Sequence, residues 1–260
     1  MSKKFVISFF YILIAINFST ILLANQKNII LKNISKFPVF YYEKENNYVN
    51  FIGFQGTHGT RTLNSLKIPP WTNLSKKLFK ENINFFQFPN SKFNIPLKAK
   101  ERLSQNEMKR LDLFYNYINE NFKGKNIFIA HHYGGLSVVN YLNNFSERKL
   151  EGIILLSYPF SVDEISKDVS LSILDQLINQ RDIPLLLIYH AEDNCTEIDI
   201  KNIKKFLFKK NTKNLSFELL NGGEKTKENL CSHRGYHGFM GVENKVSELI
   251  IKWLINNNIF

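Results

Sequence analysis

Three segments of this chain are apolar on nearly every residue: IFIA (127–130), GIILL (152–156) and IPLLLIY (183–189). A strand with one wet face alternates apolar and polar residues, so a strand that is apolar throughout must be covered on both faces. Between these runs lie stretches with helical spacing, at 134–145 and 163–180. Strands buried on both sides and alternating with helices predict an α/β fold. Its core would be a mostly parallel central sheet with helices on both faces. Ligands of such sheets sit beyond the carboxyl ends of the strands, so the chemistry should be sought there.

The rest of the pattern extends this frame. NIILKN (28–33) and PVFYYEK (38–44) read as an early edge pair, YVNFIGF (48–54) and INFFQF (83–88) as further strands, and LSFELL (215–220) as the last. Trp71, Leu74, Leu78 and Phe79 give residues 71–80 helical spacing, while 91–103 reads as a loop. Ser104 with Glu107 three residues on has the spacing of a capping box. The helix it opens should bury Met108, Leu111, Phe114 or Tyr115, and Ile118. A closing helix is expected from about Glu243 to Asn256, and a small cap from 161–181 or 89–104. At 260 residues and 44% hydrophobic content, without repeats or a linker, the chain fits one domain.

Residues 1–24 stand apart. Lys3 and Lys4 precede an apolar run from Phe5 that ends at the small residue Ala24, which reads as a secretory signal leaving a domain of 25–260. Asn17, Ser19 and Thr20 interrupt the run, favouring a signal, although about 20 residues is also long enough for a retained membrane anchor. Either way the folded part would be exported, to the periplasm or outside the cell. The formal charge of +11 falls to +9 without Lys3 and Lys4, and lysine supplies 28 of the 34 basic residues. The excess is spread along the chain, apart from KNIKKFLFKKNTK (201–213), which reads as an amphipathic surface helix. Export and this dispersed charge argue against a nucleic-acid partner. Cys195 and Cys231 are the only cysteines. They pair as a disulfide in an oxidising compartment and would be small buried hydrophobes in a reducing one. With the signal, the disulfide is the expectation.

At the carboxyl end of the strand 127–130 comes Ala130-His131-His132-Tyr133-Gly134-Gly135. A sharp strand-to-helix elbow needs small residues two before and two after its tip, where larger side chains would collide with neighbouring elements. Ala130 and Gly134 meet that need around His132, and Tyr133 would offer its backbone N–H to an oxyanion. Asp193 follows a late strand, and His237 follows the last one. An acid there can orient an imidazole and stabilise its charged form.

Elbow, acid and histidine in this order resemble the α/β-hydrolase superfamily, over nearly all of the chain beyond Asn25. More narrowly the chain is similar to a group of exported bacterial members. The matching residues are Gly56-Thr57-His58-Gly59 after an early strand, Asp193-Asn194-Cys195 after a late one, and Cys231 followed by HGFMGVE (237–243). The resemblance implies a triad geometry at positions 132, 193 and 237. It implies an oxyanion loop at Gly56 and Thr57 facing Tyr133, and a Cys195–Cys231 bridge tying the acid loop to the histidine loop. It departs at one place: the elbow serine is replaced by His132, so an acyl-serine mechanism does not transfer.

Several chemistries stay open for such a site. His132 can be a covalent nucleophile, or His132 or His237 can activate water. His132, His237, Asp193 and His190 could converge on zinc, but their spacing matches no local ligand motif, so no metal or other cofactor is expected. A substrate or ligand would be a small molecule of acyl type. Ester, thioester or amide-like bonds suit a modified hydrolase, and a pseudoenzyme that only binds is the alternative. Ser137 reads as a small surface or packing residue and Ser157 as a substrate contact at most. His58 reads as a loop-fixing group, His131 as facing away from the cleft, and His233 as solvated.

Overall fold

In a computed structural model of the chain, the structure describes residues 48–56, 83–88, 97–162, 167–180, 182–210, 213–225, 230–231 and 235–260. It also describes the backbone of strands β1 (Asn25–Ile29) and β2 (Phe37–Tyr42). The other strands are β3 (Val49–Phe54), β4 (Ile83–Gln87), β5 (Lys125–His131), β6 (Gly152–Leu156), β7 (Leu185–His190) and β8 (Leu215–Leu220). The helices are α1 (Ala99–Arg102), α2 (Gln105–Asn121), α3 (Tyr133–Asn144), α4 (Lys167–Gln180), α5 (Ile200–Phe208) and α6 (Glu243–Asn256). The strands form one sheet in the order β1-β2-β4-β3-β5-β6-β7-β8. The β1–β2 and β2–β4 pairs are antiparallel, and the six strands from β4 to β8 run parallel.

Alternate residues of each buried strand feed two separate cores. Phe128 and Ala130 pack with α2, α3 and α4 on one face, whereas Ile127 and Ile129 pack with Val246, Ile250, Trp253 and Leu254 of α6 on the other. This double coverage is why those strands show no polar alternation. The edge strand β8 differs: most of its residues are only partly covered.

At the amino end of the sheet lies a feature that the apolar pattern conceals. Asn84, Asn50 and Asn126 occupy matching register positions on β4, β3 and β5. Asn84 Nδ2 donates to Asn50 Oδ1 at 2.8 Å, and Asn50 Nδ2 to Asn126 Oδ1 at 3.0 Å. Asn126 Nδ2 then donates to Asn119 Oδ1 of α2 at 3.0 Å. Each buried amide thus has a partner, as low-dielectric surroundings demand. These asparagines are structural.

Several expectations need adjusting. β1 begins three residues earlier than the apolar run suggests. Part of the expected 91–103 loop is the short helix α1, whose Arg102 is buried. Ser104 Oγ accepts from Glu107 N at 3.2 Å, but Glu107 turns to Arg102 and Arg110, so the return half of the capping box is not made. Met108 is only half-buried, and both Phe114 and Tyr115 face the core. Helix α4 is no cap: Leu174, Leu177 and Ile178 lie in the main core, and Asn143 Nδ2 bonds the Ile173 carbonyl at 2.8 Å. The helix expected at 71–80 and the segment 1–24 lie outside the described residues. Among the described residues no helix is long and apolar enough to cross a membrane.

The turn from β5 to α3 is held by contact of backbone on backbone. A Cβ placed on Gly134 would lie 2.4 Å from Phe54 O and 2.8 Å from Gln55 O. Backbone atoms of a central strand cannot yield, so Gly134→Ala should cost at least about 2 kcal/mol of stability. Urea unfolding would check this, with a lower midpoint at unchanged slope as the expected result.

Candidate active site

His132 sits at the tip of that turn with φ 51° and ψ −122°, a conformation an L-residue adopts only under constraint. Such a residue costs of order 1–3 kcal/mol. Its N–H is anchored to Leu156 O of β6 at 2.9 Å, and its carbonyl receives Gly135 N–H at 2.8 Å. Ser157 (φ 46°), just beyond β6, and Phe239 (φ 58°), two residues past His237, are strained in the same sense. Three of the four non-glycine residues with positive φ among the described residues therefore ring one spot.

The expected acid–histidine pair is formed there. His237 Nδ1 donates to Asp193 Oδ2 at 2.9 Å, with both side chains fully buried. Asp193 Oδ1 accepts from Cys195 N at 3.0 Å, and Ser157 Oγ lies 3.4 Å from Asp193 Oδ2. The His237 carbonyl is gripped twice, by His131 Nε2 at 3.0 Å and Ser157 Oγ at 3.3 Å. His131 and Ser157 are thus supports of the histidine loop. Because a carbonyl only accepts, His131 carries its proton on Nε2. Burial, followed by the neighbouring His237 and His132, pushes His131 well below the ordinary imidazole range.

The rings of His132 and His237 converge, edge to face, with centroids 4.6 Å apart. With Nδ1 bound to Asp193, neutral His237 keeps its lone pair on Nε2, and that buried atom has no hydrogen-bond partner among the described residues. His132 stacks on the Tyr133 ring at 4.5 Å, and its Nε2 lies 2.6 Å from Glu197 Oε2. The carboxylate oxygen is off the line of a good N–H···O bond, since neither atom completes one. A lone pair facing a carboxylate at that distance would repel, so one proton lies between the two groups, on the imidazole or on the acid. Burial, then His237, drives His132 well down, while burial pushes the Glu197 carboxyl up against the opposing Tyr133 hydrogen bond. That bond runs from Tyr133 Oη to Glu197 Oε1 at 2.5 Å.

Glu197 was not picked out from the sequence. It lies in an irregular loop among Glu192, Asp193 and Asp199, with no periodicity to single it out. Its carbonyl accepts from Phe160 N at 2.7 Å and Ser161 N at 3.3 Å, which turns it back to the elbow. Arg102 was missed for a similar reason, inside a segment read as loop. Its Nη2 donates to Gln55 O at 3.1 Å and Gly56 O at 2.6 Å, which fixes the start of the expected oxyanion loop. Burial, opposed chiefly by Glu107, lowers its pKa to about 10, so it stays charged at neutral pH. Gly56 lies beside His132: a Cβ there would meet His132 Cβ at 3.4 Å. Thr57, His58 and His233 lie outside the described residues.

His190 does not join the site. Its Nδ1 accepts from Glu192 N at 3.1 Å, so its Nε2 donates to Gly222 O at 2.6 Å, and its ring stacks on Tyr236. The zinc set that included it is therefore not assembled. Ser137 is buried in its helix, so of its two readings the packing one holds. Cys195 and Cys231 form the expected disulfide, which ties the Asp193 loop to the segment preceding His237. Across a separation of 36 residues the chain-entropy model gives it roughly 4 kcal/mol.

No protein-family model and no curated protein sequence matches the chain. Its structure, however, is similar to many solved ones. An esterase from Pyrococcus furiosus superposes with a TM-score of 0.64 at 12% identity, over 90% of this chain and 93% of the esterase. A dienelactone hydrolase from Anabaena variabilis gives 0.60 at 11%, over 90% and 98%. An α/β hydrolase from Penicillium sp. sh18 gives 0.64 at 9%, over 92% and 100%. The protein has the α/β-hydrolase fold.

The state of Asp193 yields a test. Burial alone would raise its pKa, but the His237 hydrogen bond and charge, with the Cys195 N–H, hold it below the usual carboxylate range. A carboxyl whose folded value lies below the unfolded value of about 4 contributes stability above that value and loses it as pH falls through the folded one. Asp193→Asn should therefore melt below the wild type at pH 7, and the gap should close below about pH 4. A gap that stays constant with pH, in melting curves taken across that range, would contradict this assignment.

Proposed function

We propose that this is an exported hydrolase of ester- or thioester-like bonds whose site dispenses with a serine. The observation that carries the reading is the buried, unpartnered Nε2 of His237, whose ring is fixed from behind by Asp193. An orphaned buried acceptor costs about 1–3 kcal/mol, a cost that a bound water or substrate proton would relieve.

In this reading a water molecule attacks the acyl carbon while His237 Nε2 takes its proton. Asp193 stabilises the imidazolium so formed. Charge gathering on the carbonyl oxygen is met by the Tyr133 N–H at the start of α3, with Thr57 as the second expected donor. Collapse of the tetrahedral species expels the alcohol or thiol, which recovers the proton from His237. His132 closes one wall of the site, with its Nε2 beside Glu197. No covalent acyl-enzyme is formed. The acyl-type ligand class follows the fold's hydrolase neighbours, and export follows the reading of residues 1–24. The mature chain isolated from the envelope or medium should begin at Asn25, whereas retention of the apolar segment would mean a membrane anchor.

A second reading, a binding protein without turnover, is favoured by one feature. The His132 ring, only 4% exposed, fills the place that a nucleophile would occupy. Hydrolysis of a short-chain aryl ester and its thioester analogue by metal-free protein separates the two. Under the first, His237→Ala should lower wild-type turnover by about 10²–10⁴-fold. No wild-type turnover, with activity emerging only in His132→Ser, would sink the hydrolase and leave the binding protein.

A further inference from the structure

The two sulfurs of the disulfide are unequal. Cys195 is 1% exposed, whereas Cys231 is half-buried. Thiol–disulfide exchange needs access to the sulfur that is attacked, so a dithiol reductant would attack Cys231 Sγ. The S–S bond breaks and its electron pair leaves on Cys195 as a thiolate. The reductant's second thiolate then displaces Cys231, closing the reductant's own disulfide. Two electrons and two protons pass from the dithiol to the pair.

Cys195 Sγ is thereby set free in a buried place. It, one ring nitrogen of His132 and one of His237 all lie within 4.8 Å of one another. One of the imidazoles is also backed by a carboxylate, His237 Nδ1 by Asp193 at 2.9 Å. Carboxylates in that position orient metal-ligating histidines and raise their basicity. Two imidazoles and a thiolate suit zinc, with bonds of about 2.0–2.1 and 2.3 Å. The three atoms need to draw in by up to about 1 Å, and cleavage of the S–S bond removes the restraint on Cys195.

We propose that reduction of the Cys195–Cys231 disulfide opens a zinc site made by His132, Cys195 and His237, with one coordination position left for water. The site does not depend on the hydrolytic reading. An ion there would take the His237 lone pair that serves as base in that reading, so the oxidised protein would be the hydrolase and the reduced one the metal-bound form.

The test uses the full chain, reduced with a phosphine under argon and titrated with Co²⁺ as the probe for zinc. Reduced protein should take up one Co²⁺ per chain, with a thiolate-to-cobalt charge-transfer band that Zn²⁺ abolishes, and the oxidised protein should not. Cys231→Ser, which leaves Cys195 a permanent thiol, should bind without reductant. Cys195→Ser and His237→Gln should weaken binding at least about 100-fold, and Asp193→Asn about 10–100-fold. Melting curves by circular dichroism show whether each form is folded. Equal binding by oxidised protein would overturn the proposal, as would binding that His237→Gln leaves unchanged. A reduced chain that binds no Co²⁺, or unfolds and is not restored by it, would overturn it too. Ester turnover that needs the reduced, metal-free Cys195 would also do so, by making that thiol a nucleophile instead.

Discussion

The site depends on a place where two stretches of backbone touch. Gly134 lies so close to the Phe54 and Gln55 carbonyls that no side chain fits between α3 and the end of β3. That contact forces the chain to turn within one residue, and the strain falls on His132 rather than on a glycine. A residue in this position cannot retract into the core or swing out to solvent. Its side chain is delivered to the carboxyl end of the sheet, opposite the loops that follow β6, β7 and β8. Backbone bonds from His132 N to Leu156 O and from Ser157 N to Ile188 O stitch those strand ends together. The arrangement of Asp193, His237 and Glu197 is therefore a consequence of sheet order as much as of the side chains themselves.

Much of this was legible in the sequence because it rests on short-range rules. Strands buried on both faces must be apolar throughout, so β5, β6 and β7 announced themselves, and the small residues Ala130 and Gly134 marked the elbow. Asp193 could be found because it lies just past the end of a strand, and His237 because it follows the last strand in chain order. What stayed hidden is set by register or by long-range return of the chain. The Asn50, Asn84 and Asn126 ladder needs strand pairing to bring three separate residues into line. Glu197 needs its loop tied to Phe160 before it can face His132. Arg102 lay within a segment read as loop, and only the Gln55 and Gly56 carbonyls show it as a buried guanidinium.

Replacing a hydroxyl by an imidazole at the elbow changes the electrostatics of the whole pocket. A serine oxygen would have completed a chain from Asp193 through His237. His132 brings a second base beside the first, and the neighbouring His237, after burial, discourages His132 from charging. Glu197 Oε2, 2.6 Å from His132 Nε2, adds a carboxyl group beside that ring. The result is two imidazole rings set edge to face, His132 beside Glu197 and His237 held by Asp193 with its Nε2 unpartnered.

That nitrogen is the feature hardest to explain as residue of a lost activity. If position 132 were only a spacer, nothing would require His237 Nε2 to remain a buried acceptor without a partner, at a cost comparable to a whole hydrogen bond. Rotating the His237 ring would break its bond to Asp193. The support is thus organised around keeping one lone pair available. A proton from water and a soft divalent ion are the two partners that such a lone pair accepts. Which of them it meets is decided by whether the sulfur beside it is bonded to Cys231.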